Sequence, residues 1–504
     1  MTSHTQEIEL LREVNSYFIS GNDHTDNLIE KLGDVVQATS RMMQDESMWG
    51  YTSNMGNDPL IHQVINSNLE CVVKYETFTL NQLRLTKGLM LLLRNFSLIN
   101  ELNADTYNLI ANLVEKLNGL FTEGELALKA VDISIVGFHC IFNFMKSHDE
   151  PDVVVFTIKA LNFVMDQLMY TGGIFELRQT LSLTKQCCEI SQTKAILKEQ
   201  NCGALIKLLK CSTRILNFNT ETNLEELHSN EAIEYQVIVN IAQCLMNFFD
   251  DEVLGIAAYK MEKERPGDNN AVLLYLIACQ MVFSSEPLAN WDYVAIGAVV
   301  LDFFRIYTDQ CKRLLETANT DEFELKLQHR KIIALFDIIS NLMPYEMFRK
   351  VMNSYEVLEK LIEFFHVVEN NTERKRLKDE SIVNREKKSF GNVKTIIVEI
   401  ITYFVHNDKK NQDLVREKGG LILLLNNCNL DTNEPFIRER CILCLRYLLE
   451  NNLENQDFVA SLEAKGVEIN KENEEILEKC GYEIEIVDGK VQLKNVSNKR
   501  HKSE

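Results

Sequence analysis

Cys441 and Cys444 stand three positions apart in a helical pattern, which puts two soft thiols on one helix face, a pairing suited to Cu(I) or zinc. A second set is built on asparagine. Leu92-Leu93-Arg94-Asn95-Phe96, Cys140-Ile141-Phe142-Asn143-Phe144, Cys244-Leu245-Met246-Asn247-Phe248 and Ile338-Ile339-Ser340-Asn341-Leu342 share one order: two apolar residues, a variable one, asparagine, then Phe or Leu. Ile400-Ile401-Thr402-Tyr403-Phe404 and Cys444-Leu445-Arg446-Tyr447-Leu448 keep the order with tyrosine in the fourth place. A carboxamide can donate and accept at once. It can do so toward a neighbouring loop or helix cap as readily as toward a partner.

The pattern also decides against the thiol pair as a metal site. The place of Cys444 is held by Leu92, Cys140, Cys244, Ile338 and Ile400 in the other copies, so cysteine alternates there with aliphatic core residues. Free cysteine behaves as a small buried hydrophobe. No phosphate-cradling glycine loop, two-histidine metalloprotease helix or nucleophile elbow occurs in the chain. The expectation is a non-enzymatic protein with no cofactor. The basic cluster Arg374-Lys375-Arg376-Leu377-Lys378 is followed closely by acids and reads as a solvated loop.

The elements that must position these residues are helices. The copies are separated by 48, 104, 94, 62 and 44 residues, close in three cases to one or two periods of a helical repeat of about 40 to 50 residues. The punctuation is clearest from residue 394 to 466. An apolar helix stops at His406-Asn407-Asp408, and the short polar helix 411–418 ends in Gly419-Gly420, where a left-handed cap needs no side chain. A greasy helix follows, and then Pro435 opens another that carries Cys441, Cys444, Leu445 and Leu448. Asn455-Gln456-Asp457-Phe458-Val459 then restarts Asn411-Gln412-Asp413-Leu414-Val415. A short helix and two longer ones per unit, at that period, is the armadillo kind of repeat.

The fold class expected is therefore all-α, an armadillo/HEAT-like α-solenoid: a right-handed superhelical stack of eight to ten repeats on one continuous core. The expected organisation is capping helices over residues 1–60, repeats over 61–368, a charged flexible loop over 369–390 and further repeats over 391–480. Residues 481–504 read as a small hairpin, turning at Asp488-Gly489, and a disordered tail. Two degenerate copies are expected as well, Ala160-Leu161-Asn162-Phe163 echoing the pattern and Gly203 to Leu209 echoing Gly420 to Leu425.

Composition sets the bounds. At 504 residues the chain exceeds the usual single-core limit of about 250 to 300, a limit that a solenoid escapes. Six prolines and 20 glycines against 45% hydrophobic residues leave little material for the turns of an all-β protein. A net charge of −21 argues against nucleic acid or an anionic membrane as partner. Thirteen cysteines without a secretory leader imply reduced thiols in the cytoplasm. The longest apolar runs, Ala271 to Cys279 and Ala295 to Leu301, fall far short of the roughly 20 residues a membrane helix needs.

One stretch carries a resemblance. Asn407, Lys409, Asn411, Gln412, Leu414, Val415, Arg416, Gly419 and Gly420, the run Asn433-Glu434-Pro435-Phe436-Ile437-Arg438-Glu439, and Leu448 through Gln456 together look like the C-terminal domain of the ataxin-10 family. In length and acidity the chain resembles the fungal members, some of which carry the name copper transport protein 86. The resemblance implies a cytoplasmic interaction scaffold acting in cytokinesis or cell division and in signalling; the competing class is a copper-handling protein. Resemblance to armadillo proteins implies that the patterned helix lines a concave groove for protein partners. Asn95, Asn143, Asn247 and Asn341 would there bond the main chain of an extended peptide, with Tyr403 and Tyr447 forming an aromatic contact surface.

Overall fold

The structure is a computed structural model that describes residues 4–21, 25–42, 49–100, 102–120, 124–147, 151–170, 172–200, 202–219, 222, 233–248, 252–264, 269–284, 291–372, 388, 390–429, 431–464, 479, 481–487 and 490–495. The chain divides into two compact units, Met1–Phe248 with Ile256–Ala278, and Phe249–Gly255 with Cys279–Glu504. Each has its own core. The helices are those of an all-α helical-repeat solenoid, as the periodicity predicts.

In the first unit the helices are α1 (Thr5–Ser20), α2 (Thr25–Met42), α3 (Trp49–Gly56), α4 (Pro59–Val73), α5 (Leu80–Ser97) and α6 (Ala104–Leu120). They continue with α7 (Glu125–Ser147), α8 (Pro151–Tyr170), α9 (Ile174–Glu189), α10 (Ser191–Glu199), α11 (Gly203–Ile215) and α12 (Ile233–Leu245), the last prolonged by a 3-10 turn, Met246–Phe248. Helices α1, α4, α6, α8 and α11 pack in succession as one layer. Helices α2, α5, α7, α9 and α12 do so as a second. The starts follow local chemistry: Thr79 caps α5 by accepting from Gln82 N at 3.3 Å while Thr79 N donates to Gln82 Oε1 at 2.7 Å, a reciprocal box.

Helices α13 (Glu252–Glu264) and α14 (Asn269–Phe283) contain the boundary between the units. The second unit then runs through α15 (Tyr293–Glu316), α16 (Glu322–Leu342), α17 (Glu346–Ser354), α18 (Val357–Asn371), α19 (Val393–Val405), α20 (Lys409–Glu417), α21 (Gly420–Asn426), α22 (Ile437–Leu449) and α23 (Leu453–Ala464). The same division recurs: α15, α18 and α21 succeed one another in layer one, α16, α19 and α22 in layer two, and the short α17, α20 and α23 join repeats. Leu445 is fully buried, in line with its assigned register. Gly419 has φ +76°, the left-handed conformation expected of it.

The structure refines two expectations and adds one helix. The polar stretch between Met48 and Pro59 contains α3, whose buried residues are Thr52, Met55 and Gly56, so no apolar stripe announced it. Ala160 to Phe163 lies on α8, in layer one, and is not a copy of the patterned helix. The charged segment 369–390 is packed at its ends. Thr372 and Phe390 are buried, and Lys388 Nζ donates to the carbonyls of Leu314, Leu315 (3.0 Å) and Thr317 (2.6 Å), closing the C-terminus of α15. Its interior, 373–387 and 389, lies outside the described residues, as do the turn at Asp488-Gly489 and the tail 496–504. Finally, the strands β1 (Tyr482–Val487) and β2 (Lys490–Asn495) form the expected antiparallel hairpin, Tyr482 opposite Asn495, with β2 against α23.

Candidate functional site

All six pattern residues fall on layer two of their own unit. Asn95 is on α5, Asn143 on α7, Asn247 in the 3-10 turn after α12, Asn341 on α16, Tyr403 on α19 and Tyr447 on α22. One more helix belongs in the series. Cys140 Sγ donates to Met90 O on the preceding layer-two helix, and Cys244 Sγ donates to Leu181 O on α9 in the same manner, at 3.8 and 3.5 Å. Leu183 therefore stands where Leu92 stands, and Gln186 takes the asparagine's place. The signal that could have found it was the 104-residue interval between Cys140 and Cys244, too long for one repeat.

The asparagines are not equivalent. Asn95 is 1% exposed: its amide donates to Thr39 Oγ1 at 2.9 Å and Val36 O at 3.4 Å on α2, and its carbonyl accepts from the Arg94 guanidinium at 3.0 Å. A groove role for Asn95 is therefore corrected; its hydrogen bonds join two repeats. Asn143 donates to Ser97 Oγ at 3.0 Å, again across a repeat boundary. Asn247 and Asn341 are half-buried and, among the described residues, have no side-chain hydrogen-bond partner.

One turn before these positions the layer-two face carries His139, Gln243, Asp337, Glu399 and Leu443. Burial and the nearby Arg94 charge lower the His139 pKa to about 4, so it is a neutral imidazole. In the second unit Asp337 accepts from Gln280 Nε2 at 2.7 Å, and Glu399 pairs with Arg440 at 3.2 Å. Burial, then the Glu399 carboxylate, raises Asp337 to about 6. Beyond them Tyr403 and Tyr447 are half-buried, and the Tyr447 ring lies 4.6 Å from that of His406. Phe436, at the N-cap of α22, and Leu443, within it, stand exposed. Open amides, carboxylates and aromatic faces are means of recognition.

The thiols are elsewhere. Cys441 and Cys444 are fully buried in the α22 core, and burial, then neighbouring Cys428, raises the Cys441 pKa well above the thiol range. A metal ligand must be thiolate, the form this environment disfavours. Among the described residues no group of three or more His, Cys, Asp or Glu is placed to hold a metal ion.

The motif that starts twice proves to be a capping device. Asn411 Nδ2 donates to Phe404 O at 3.0 Å and Gln412 Nε2 to Val405 O at 3.1 Å, closing α19. Asn455 and Gln456 do the same for Leu448 O and Leu449 O of α22, at 2.8 and 2.7 Å. Asn407 and Asn451, both at φ +56°, turn the chain back so that these side chains reach the helix they follow. Asn452 Nδ2 donates to Gln412 Oε1 at 3.1 Å, and Gln412 also donates to Tyr447 O at 2.9 Å, which locks one cap to the next.

Residues 393–494, the segment of α19 to β2, match the family model of the spinocerebellar ataxia type 10 protein domain. Over this segment the chain is similar to the ataxin-10 family. The chain is 27% identical to an ataxin-10 homolog of Debaryomyces hansenii over 479 residues, 94% of this chain and 92% of the relative. It is 30% identical to the ataxin-10 homolog of Candida glabrata over 272 residues (47% and 50%), and 27% identical to ataxin-10 of Macaca fascicularis over 222 residues (42% and 45%). These relatives carry the ataxin-10 name and none the copper name. The paired Asn-Gln caps thus lie inside the ataxin-10-type segment and give it a physical reading. Among the described residues no helix is long and apolar enough to cross a membrane.

Proposed function

We propose that the protein is a non-catalytic scaffold of the ataxin-10 family that holds protein partners on its layer-two helices. The observation that carries this reading is the unsatisfied state of Asn341 beside Asp337, Tyr403 and Tyr447 on successive layer-two helices of one unit. Half-buried carboxamides with no internal partner are ready to pair with main chain, and half-buried tyrosines supply amphipathic contact area. In the first unit Asn247 takes the same part. The acidity of the chain disfavours nucleic acid as the occupant.

The family likeness adds the cytoplasm as location and cell division and signalling as setting. Imaging the tagged chain through the cell cycle tests both, and a uniformly nuclear or membrane signal would refute them. For the surface, the partner set captured by the full chain is compared with that of a triple variant, Asn341→Ala, Tyr403→Ala and Tyr447→Ala. Selective loss of defined partners, with the unfolding curve unchanged, supports the reading. Retention of every partner refutes it. Among the described residues no observation favours copper handling.

A further inference from the structure

On layer one of the second unit, α15 and α18 leave between them a cleft of about 260 Å³. Its α15 wall presents Arg305, Asp309 and Lys312, spaced by one helical turn, and its α18 wall presents Lys360 and Glu363. The floor is the buried ring of Phe364.

The cations there are unused. Among the described residues neither Lys312 nor Lys360 has an ion-pair or hydrogen-bond partner, and the Arg305 guanidinium is engaged only by the Tyr355 ring, 5.7 Å from its centroid. Their immediate neighbours are used: Glu359, one residue before Lys360, pairs with Lys418, and Arg313, one after Lys312, donates to Asp309 O at 3.3 Å. Three cations without an ion pair among the described residues thus face one cleft, against two carboxylates, on a chain of net charge −21.

We propose that this cleft binds carboxylate side chains of an acidic peptide segment on a partner protein. The two interspersed acids select that ligand: Asp309 and Glu363 oppose the unbroken charge of a nucleic-acid backbone, but leave room for separate carboxylates to meet Arg305, Lys312 and Lys360. Phe364 offers an apolar seat for a side chain between them. At physiological salt charges act over about 8 Å, so the acidity of the rest of the chain does not cancel attraction within the cleft. The site lies on the layer opposite the one assigned above to partner binding and does not depend on that reading.

The test uses the full chain and a fluorescent, extended Glu-rich peptide with one central Leu, read by anisotropy against its Gln-for-Glu counterpart. Lys312→Glu with Lys360→Glu should weaken the Glu peptide at least about tenfold, the effect of about 1.4 kcal/mol. The charge-matched control, Lys350→Glu with Lys410→Glu on exposed sites elsewhere, should leave binding unchanged. The Gln peptide should bind no better than the Glu peptide binds the cleft variant. Equal losses in cleft and control variants, equal binding of the two peptides, or displacement by inorganic phosphate at the peptide's own concentration would each overturn the proposal, the last by assigning the site to a free anion.

Discussion

Asn411 donates its side-chain amide to the main-chain carbonyl of Phe404, 3.0 Å away, and so closes the last turn of α19 from outside the helix. The bond is buried, which makes its removal costly: Asn411→Ala leaves a carbonyl without its partner and should destabilise the second unit by about 1 to 3 kcal/mol. Denaturant unfolding measures it, with Lys410→Ala at the exposed neighbouring site as a control near zero. Equal midpoints for the two variants would show that water replaces the cap.

Leu445 tests the register of α22. Truncating it to alanine should cost about 2 to 5 kcal/mol, because a fully buried leucine leaves a cavity that the packed layers fill only in part. A near-wild-type unfolding curve would contradict the placement.

Asn95 and Asn341 share a place in the pattern and should behave oppositely. Asn95→Ala removes bonds between α5 and α2 and should lower stability by about 1 to 3 kcal/mol. Asn341→Ala should leave unfolding unchanged and weaken a partner by about 0.5 to 1.5 kcal/mol, the net value of one hydrogen bond. Calorimetry of unfolding and of partner binding on both variants separates the two effects, and the reverse pairing would reject the assignment.

Asp337 sets a pH dependence. Its folded-state pKa is raised from 3.8 to about 6, so the folded chain holds this proton more tightly than the unfolded one. Its stabilising contribution is complete below the ordinary carboxylate pKa and is lost as pH rises through about 6. Wild type should lose stability relative to Asp337→Asn between those values and keep a constant difference above them. A difference that stays flat across that interval would show that Asp337 ionises freely.

The end of the short helix was legible because its chemistry is local. Gly419 takes the left-handed conformation read for it, and the signal lies in the residue itself. That Asn341, Tyr403 and Tyr447 fall on successive helices of one layer in the second unit was legible from their matching place in the pattern. What stayed hidden depends on distant chain. Whether a patterned asparagine is engaged or open is decided by Thr39, 56 residues from Asn95, and no spacing rule reports it. Helix α9 was missed since Thr184 stands where the other copies have their second apolar residue, and Gln186 where they have asparagine or tyrosine. The layer-one cleft was missed because Lys312 and Lys360 belong to different repeats.

Because Asn411 and Gln412 complete α19, and Asn455 and Gln456 complete α22, each of these two helices is finished by residues of the repeat that follows it. The covalent period and the folding period are thus out of phase by one short helix. A fragment ending at Asn452 would contain every residue of α22 and still expose its final carbonyls, whereas one ending after Gln456 would not. Any excision, duplication or transplant of either repeat has to be cut past the short helix, and a boundary drawn at the end of the long one would produce a piece that frays from its newest end.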